Sequence, residues 1–189
     1  MNASKEKGDR GEREAVATLC ALAPDHVLPN ARRKLGAGRK DDMGDLDVLP
    51  DVTVQVKWLA SLTSALRDAA TGASVQSDRA GTTYALGMAP IPRARKDGVR
   101  WLAATTEWPG GPPPSDAILS TGQSQAAVAH ARAERAGIPR ARRIAVVRRS
   151  GAVDLWVSTM EAWLEAWLED RERVRVPDET AVAAVRRMV

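Results

Sequence analysis

The chain has 189 residues, 44% of them hydrophobic and 28% charged, which suits one packed globular domain with elaborations and argues against wholesale disorder. A net charge of +4 with clustered arginines fits an anionic partner, and the single cysteine, Cys20, leaves no intrachain disulfide and no cysteine-based metal cluster. No apolar run reaches about 18 residues and the opening MNASKEKGDRGERE has no apolar segment, so neither a membrane span nor a signal peptide is expected, and a cytoplasmic location is.

The first helix is expected to begin near Gly11 and to run through EREAVATLCALA, with Pro24 following its end. At ~100° per residue its apolar stripe holds Val16, Leu19, Cys20 and Ala23. Glu12 falls on that stripe and Glu14 on nearly the opposite side. Glu12 is therefore an acid aimed at the interior, and Glu14 a solvated one. Next comes an irregular, strongly basic stretch, HVLPNARRKLGAGRKDD.

GDLDVLPDVTVQVKW then reads as two short strands around a turn. Val52, Val54, Val56 and Trp58 share one face of the second strand, and Thr53, Gln55 and Lys57 share the other. Asp45 and Asp47 share a face of the first strand. A two-residue loop would bury both acids on the valine face, at several kcal/mol per unpaired charge as an order of magnitude. An odd loop of, for example, three residues is preferred, with Asp47 opposite Gln55 and Asp45 opposite Lys57.

Further on, SLTSALRDAAT reads as a helix opened by a serine cap. TTYALGMAP and VRWLAAT read as strands joined by the basic turn IPRARKDG. The proline- and glycine-rich EWPGGPPPS is the clearest linker, so a core of residues 1–108, a linker of 109–115 and an extension of 116–189 packing on the same core are expected. In the extension, SQAAVAHARAERAG reads as a helix stopped by Gly137. RRIAVVRR and AVDLWVS read as a hairpin across Ser150 and Gly151; TMEAWLEAWLEDRER reads as a helix and PDETAVAAVRRMV as another. Segments 82–108 and 138–163 echo one another: each follows Arg-Ala-Gly, has a basic strand–turn–strand pattern and carries a tryptophan in its second strand. A duplication and a chance match of alanine- and arginine-rich sequence both account for that.

A helix acid, a strand acid and a strand lysine brought together suit phosphodiester hydrolysis. Hard oxygen ligands hold Mg²⁺, the metal activates water, and a lysine orients that water or neutralises developing charge. The plainer account of Asp45, Gln55 and Lys57 is the polar face of a half-exposed hairpin. Asp47 is either an alternative ligand or a hairpin surface acid. His26 and His130 have no ligand-spaced partner and read as surface or packing residues, and Trp163 and Trp167 as core or dimer packing.

GDRGEREAVATL followed by RKLGAGRKDDMGDLDVLPDVTVQVKW resembles the PD-(D/E)XK nuclease superfamily. The likeness is greatest to archaeal-type Holliday junction resolvases and to small nucleases of actinobacterial phages. It spans roughly residues 8–60 well and the later helix-and-strand order loosely. It implies an α/β fold with a restriction-endonuclease-like core, a mixed central sheet flanked by helices. It also implies a metal-dependent DNA endonuclease, with branched DNA among its substrates and with Mg²⁺, or Mn²⁺ as a substitute. Glu12 matches the helix glutamate, Asp45 the motif aspartate, and Gln55-Val56-Lys57 the (D/E)XK element. Glu12, Asp45 and Gln55 are then the expected metal ligands and Lys57 the catalytic lysine. Gln55 departs from the commonest form, although glutamine occurs there in some branches that cut modified DNA or transposon ends. Arg13, Arg32, Arg33, Lys34, Arg39 and Lys40 are the expected DNA contacts, giving affinity without sequence choice. Paired cuts on two strands favour a homodimer. The alternatives are a restriction or repair nuclease on duplex DNA, and a DNA-binding or assembly protein with a degenerate nuclease fold.

Overall fold

In the computed structural model, which describes residues 3–34, 44–93, 100–114, 116, 118–121, 130, 133–148 and 153–175, the chain is an α/β protein built on one mixed sheet. Helix α1 spans Ala3–Leu22, so it begins well before Gly11. Glycines cost a helix about 1 kcal/mol each relative to alanine, which is why the local pattern places the start near Gly11 and past Gly8. Tertiary packing overrides that cost: a Cβ at residue 11 would lie only 3.1 Å from Cε3 of Trp58, so the glycine lets the helix sit against the indole.

Strands β1 (Arg32–Arg33), β2 (Leu46–Asp47) and β3 (Val52–Val56) follow, then helix α2 (Leu62–Ala80). Strands β4 (Tyr84–Pro90), β5 (Trp101–Thr105), β6 (Ile118–Thr121), β7 (Ile144–Val147) and β8 (Leu155–Thr159) come next, and helix α3 (Met160–Arg175) is the last described element. The sheet order is β1-β2-β3-β4-β5-β8-β7-β6. The β3–β4 and β6–β7 pairs are parallel and the other pairs antiparallel. A parallel pair needs a crossover, and α2 is the one between β3 and β4. Ser61 caps α2, its hydroxyl accepting from the Ser64 N–H at 3.3 Å, and Gly81 ends it in the left-handed conformation at φ 66°.

The helices lie on both faces. One core cluster joins α1 and α3 to the sheet through Leu19, Val54, Leu86, Trp163 and Trp167. Its tryptophans 163 and 167 are fully buried and stacked, so they are core residues. The other cluster joins α2 to the sheet through Leu66, Ala70, Leu102 and Val157. The polar face of β3 is covered rather than solvated: Thr53 is 1% and Gln55 3% exposed. The half-exposed hairpin reading therefore fails at those two positions.

The extension continues the same sheet, because β8 pairs with β5. Trp108, at the mouth of the proline-rich stretch, is buried with its ring 6.2 Å from that of Trp156. Strand β6 is an element the sequence pattern does not reveal, since a four-residue strand after prolines has too few residues to display a period. The helix expected over PDETAVAAVRRMV, the turn at Ser150 and Gly151, and much of the expected helix before Gly137 lie outside the described residues; His130 and residues 133–135 are helical. The echoing segments occupy equivalent places. The sheet reads β3-β4-β5 from one side of its midline and β6-β7-β8 from the other, each a parallel pair followed by an antiparallel strand. Both Arg-Ala-Gly glycines, Gly81 and Gly137, are left-handed, at φ 66° and 70°. That placement is what a duplicated strand–helix–hairpin unit would give.

Candidate active site

The hairpin loop is odd, as its polar pattern requires. Leu46 pairs with Val54, which sets Asp45 beside Gln55 and Asp47 beside Thr53. The pairing is thus displaced by two residues from the one expected: Asp45 is not opposite Lys57, and Asp47 is not opposite Gln55. A two-residue slip keeps every side chain on its own face, so the burial pattern alone cannot choose between the two registers.

Asp45 is held from one side by β3. Its Oδ2 accepts from the Gln55 amide nitrogen and from the Val56 backbone N–H at 2.7 Å. Its own backbone N–H donates to the Val54 carbonyl at 2.8 Å. Gly44, at φ 99°, makes the turn into this position; a Cβ there would approach Cγ2 of Thr53 to 3.0 Å as well as adopting a strained backbone. Gln55 in turn lies beneath α2, where a Cβ at Gly72 would meet its Cγ at 3.3 Å and its Oε1 at 3.4 Å. Helix and strand therefore clamp the amide between Gly72 and Asp45.

Glu12 reaches the same place from α1, about one helical turn before the buried Ala15 and two before Leu19. Burial, and then the charge of Asp45, raise its carboxyl above the ordinary glutamate value, against the lowering pull of Arg33. The two acids are close enough to oppose each other's ionisation. Arg33 answers them. Its Nε donates to Glu12 Oε2 at 2.8 Å and its Nη2 to Asp9 Oδ1 at 2.7 Å, with 22% of its side chain exposed. Burial works to lower the Arg33 pKa, but Glu12 and Asp9 outweigh it and hold the guanidinium above its ordinary value.

Lys57 continues the β3 ladder, its N–H donating to the Met88 carbonyl at 2.9 Å, and alternation puts its half-buried side chain on the Gln55 side. Arg13 and Arg32 are exposed, and Lys34 is half-buried with its N–H bound to the Asp45 carbonyl at 2.7 Å. Arg33 is turned inward to Glu12 and Asp9. Arg39 and Lys40 lie outside the described residues. Asp47 stands across from Arg32 in the β1–β2 register. His26 is exposed, edge-on to Trp167 with ring centres 6.2 Å apart. His130 is buried, and burial followed by the charge of Arg143 lowers its pKa.

Two groups near the site are not evident from motif spacing. Asp9 shares Arg33 with Glu12, three residues away and on the same side of α1. Trp58 gathers Lys7, Arg10 and Arg100 around its ring. The i, i+3, i+4, i+7 spacing of Lys7, Arg10, Gly11 and Glu14 marks that helix face, but nothing local announces Arg100. At the far end of β4, a cavity of about 240 Å³ is lined by Ser77, Thr82, Tyr84, Trp163 and Asp170. There the Tyr84 hydroxyl donates to Asp170 at 3.0 Å, and burial together with that bond pushes its pKa up to about 12.

Among the described residues no group of three or more His, Cys, Asp or Glu side chains is arranged to hold a metal ion. The oxygen donors that approach one another are the carboxylates of Glu12 and Asp45; Gln55 turns its amide nitrogen to Asp45 and its Oε1 toward Gly72. The two carboxylates are hard ligands of the kind Mg²⁺ and Mn²⁺ take, one fewer than in a three-acid site. The mutual repulsion of the two acids, now relieved on the Glu12 side by Arg33, is the feature that fits a cation there.

Gln55→Glu tests this arrangement directly. It removes the N–H donor to Asp45 Oδ2 and sets two carboxylates in contact. Two charges a few Å apart interact by about 1–4 kcal/mol at effective dielectrics between water and a protein surface. The metal-free variant should melt lower than the parent, and added Mg²⁺ should raise its melting temperature more steeply, with a lower midpoint. Identical Mg²⁺ titrations of the two proteins would place residue 55 away from any metal.

No family model, curated protein or solved structure matches the chain.

Proposed function

We propose that the chain is a metal-dependent deoxyribonuclease that hydrolyses phosphodiester bonds through Glu12, Asp45, Gln55 and Lys57. The observation that carries this reading is the approach of Glu12, from α1, to Asp45, which is itself bonded to Gln55 and Val56 of β3. Residue 12 is remote in sequence from the hairpin of Asp45 and Gln55, and a carboxylate pair with a raised glutamate pKa is costly to maintain without a use. The mixed sheet with helices on both faces is consistent with a restriction-endonuclease-like core.

In this reading Glu12 and Asp45 would hold Mg²⁺ or Mn²⁺ by carboxylate oxygens, and Gln55 would add its amide oxygen once the amide turns over from its bond to Asp45. The bound ion supplies an activated water and charge stabilisation at the phosphate. Val56 N–H fixes the orientation of Asp45. Arg33 neutralises Glu12 while no cation is bound, and competes with one. Lys57 orients the attacking water or offsets charge on the phosphate. Arg13, Arg32, Lys34 and the basic stretch through Arg39 and Lys40 contact the DNA backbone. Branched DNA such as a four-way junction is the proposed substrate, cut by a homodimer in the cytoplasm.

A second reading is a DNA-binding protein with an inactive nuclease fold. It is favoured by the amide at residue 55 and by Arg33 occupying the Glu12 carboxylate. A cleavage panel separates the two, using four-way junction, flap, duplex and single-stranded DNA with Mg²⁺ or Mn²⁺. The nuclease reading expects nicking, strongest on the junction. At subsaturating metal it also expects an acid limb of the pH–rate profile above the ordinary glutamate value, because Glu12 must lose its proton to take the ion and its pKa in the metal-free protein is raised. Tight binding with no cleavage under either metal would leave the second reading.

A further inference from the structure

We infer that Trp58, Lys7, Arg10 and Arg100 form a docking subsite for the phosphodiester backbone of DNA, flanking the site of hydrolysis. The inference rests on the nuclease reading for its substrate, but on separate residues for its evidence.

Three cations surround one indole. Lys7 Nζ lies 5.5 Å from the ring centre, and the guanidinium carbons of Arg10 and Arg100 lie 5.9 and 5.2 Å away. A ring quadrupole attracts such cations while leaving their N–H groups open to other partners. Among the described residues Glu14 is the carboxylate that serves this group, taking Arg10 at 2.8 Å and Arg100 at 3.6 Å. Among those residues three positive charges face one negative. Arg100 is steadied further by donating from Nη1 to the Ile91 carbonyl at 3.2 Å. Trp58 itself is steadied edge-on by Trp101, with ring centres 6.4 Å apart. The cations are thus preorganised, half-buried or exposed, and only partly neutralised. A polyanion is the partner that charge complementarity selects.

Position ties this cluster to the candidate site. Trp58 follows Lys57 directly, and Gly11, whose lack of a Cβ admits the indole, directly precedes Glu12. Trp58 and Gly11 are thus each one residue from a site residue, and Arg10 lies two residues before Glu12. A DNA strand whose reacting phosphate lies at Glu12, Asp45 and Lys57 meets Lys7, Arg10 and Arg100 with a neighbouring phosphate. Trp58 acts as a positioning residue, and the three cations as phosphate contacts.

The test measures DNA binding by fluorescence anisotropy across a salt series, with Ca²⁺ in place of Mg²⁺, for the full chain and for Lys7→Gln, Arg100→Gln and Trp58→Leu. Melting temperatures report folding, and a Trp58→Phe variant, which keeps an aromatic face, separates positioning from a general loss of structure. Each lost phosphate contact should weaken binding roughly tenfold and flatten the slope of log affinity against log salt by about 0.9. Trp58→Leu should flatten it by more than one contact and Trp58→Phe by less. Unchanged affinity and slope in folded variants of a protein that binds and cleaves DNA would overturn the subsite and leave the nuclease reading intact. Flattened slopes in a protein that binds but never cleaves would uphold the subsite and overturn the nuclease. A parent protein that neither binds nor cleaves DNA would overturn both.

Discussion

Lys57→Ala should lower DNA cleavage by roughly 10²–10⁴-fold, the usual worth of a positioned acid–base or charge-stabilising group, while DNA binding stays within a few-fold of the parent. The side chain is half-buried at the end of β3, and what integrates residue 57 into the sheet is its backbone N–H on the Met88 carbonyl, which alanine retains. The fold should therefore survive. Affinity comes from the phosphate contacts, which are spread over α1, the basic stretch and Arg100, whereas Lys57 acts at one reacting phosphate. Plasmid nicking with Mg²⁺ measures the first quantity and gel mobility in Ca²⁺ the second. A folded Lys57→Ala protein that loses both in equal proportion would make the lysine a binding residue and leave the proposed mechanism without its charge-stabilising group.

Gly87→Ala should destabilise the protein by about 3 kcal/mol or more, at or above the usual range for overpacking a core. Gly87 lies in β4 directly under α2. A Cβ there would stand 2.5 Å from the Ala70 nitrogen, 2.6 Å from the Ala69 carbonyl carbon and 2.9 Å from the Ala69 Cβ. The first two are backbone atoms of a helix and cannot swing aside, so the whole helix must lift. For a chain of this size each kcal/mol is worth about 2–4 °C in melting temperature, giving an expected fall of roughly 6–12 °C. The consequence reaches the candidate site, because Gly87 is the register partner of Gln55, and α2 also presents Gly72 to that side chain. Raising α2 loosens the clamp on the Gln55 amide, so the variant should also respond less sharply to Mg²⁺. A melting temperature within about 1 °C of the parent would show that α2 rides farther from the sheet than these distances require.

Much of the local structure was determined by the sequence alone. The alternation in VTVQVKW sorts the valines from Thr53, Gln55 and Lys57, since strand side chains have a period of two whatever surrounds them. The helical period sends Glu12 inward, and the serine before Leu62 marks the start of α2, because caps answer a local shortage of hydrogen bonds, whereas the expected SLTSALRDAAT stops nine residues short of the end of α2 at Ala80. Those signals lie within a few residues of the features they describe. What only the tertiary structure decided involves partners that are remote along the chain. The true hairpin register belongs to this class, because a slip of two preserves the burial pattern. So do the early start of α1, stabilised by Trp58 some 47 positions past Gly11, and the inward turn of Arg33, which looks in sequence like any member of a basic run. The place of β6 in the sheet and the gathering of Lys7, Arg10 and Arg100 on one indole belong here too. Sequence period reports which side of an element is buried; which residues meet across the sheet is set by close approach of helices at Gly11, Gly72 and Gly87, where the absence of a side chain records the contact without naming the partner.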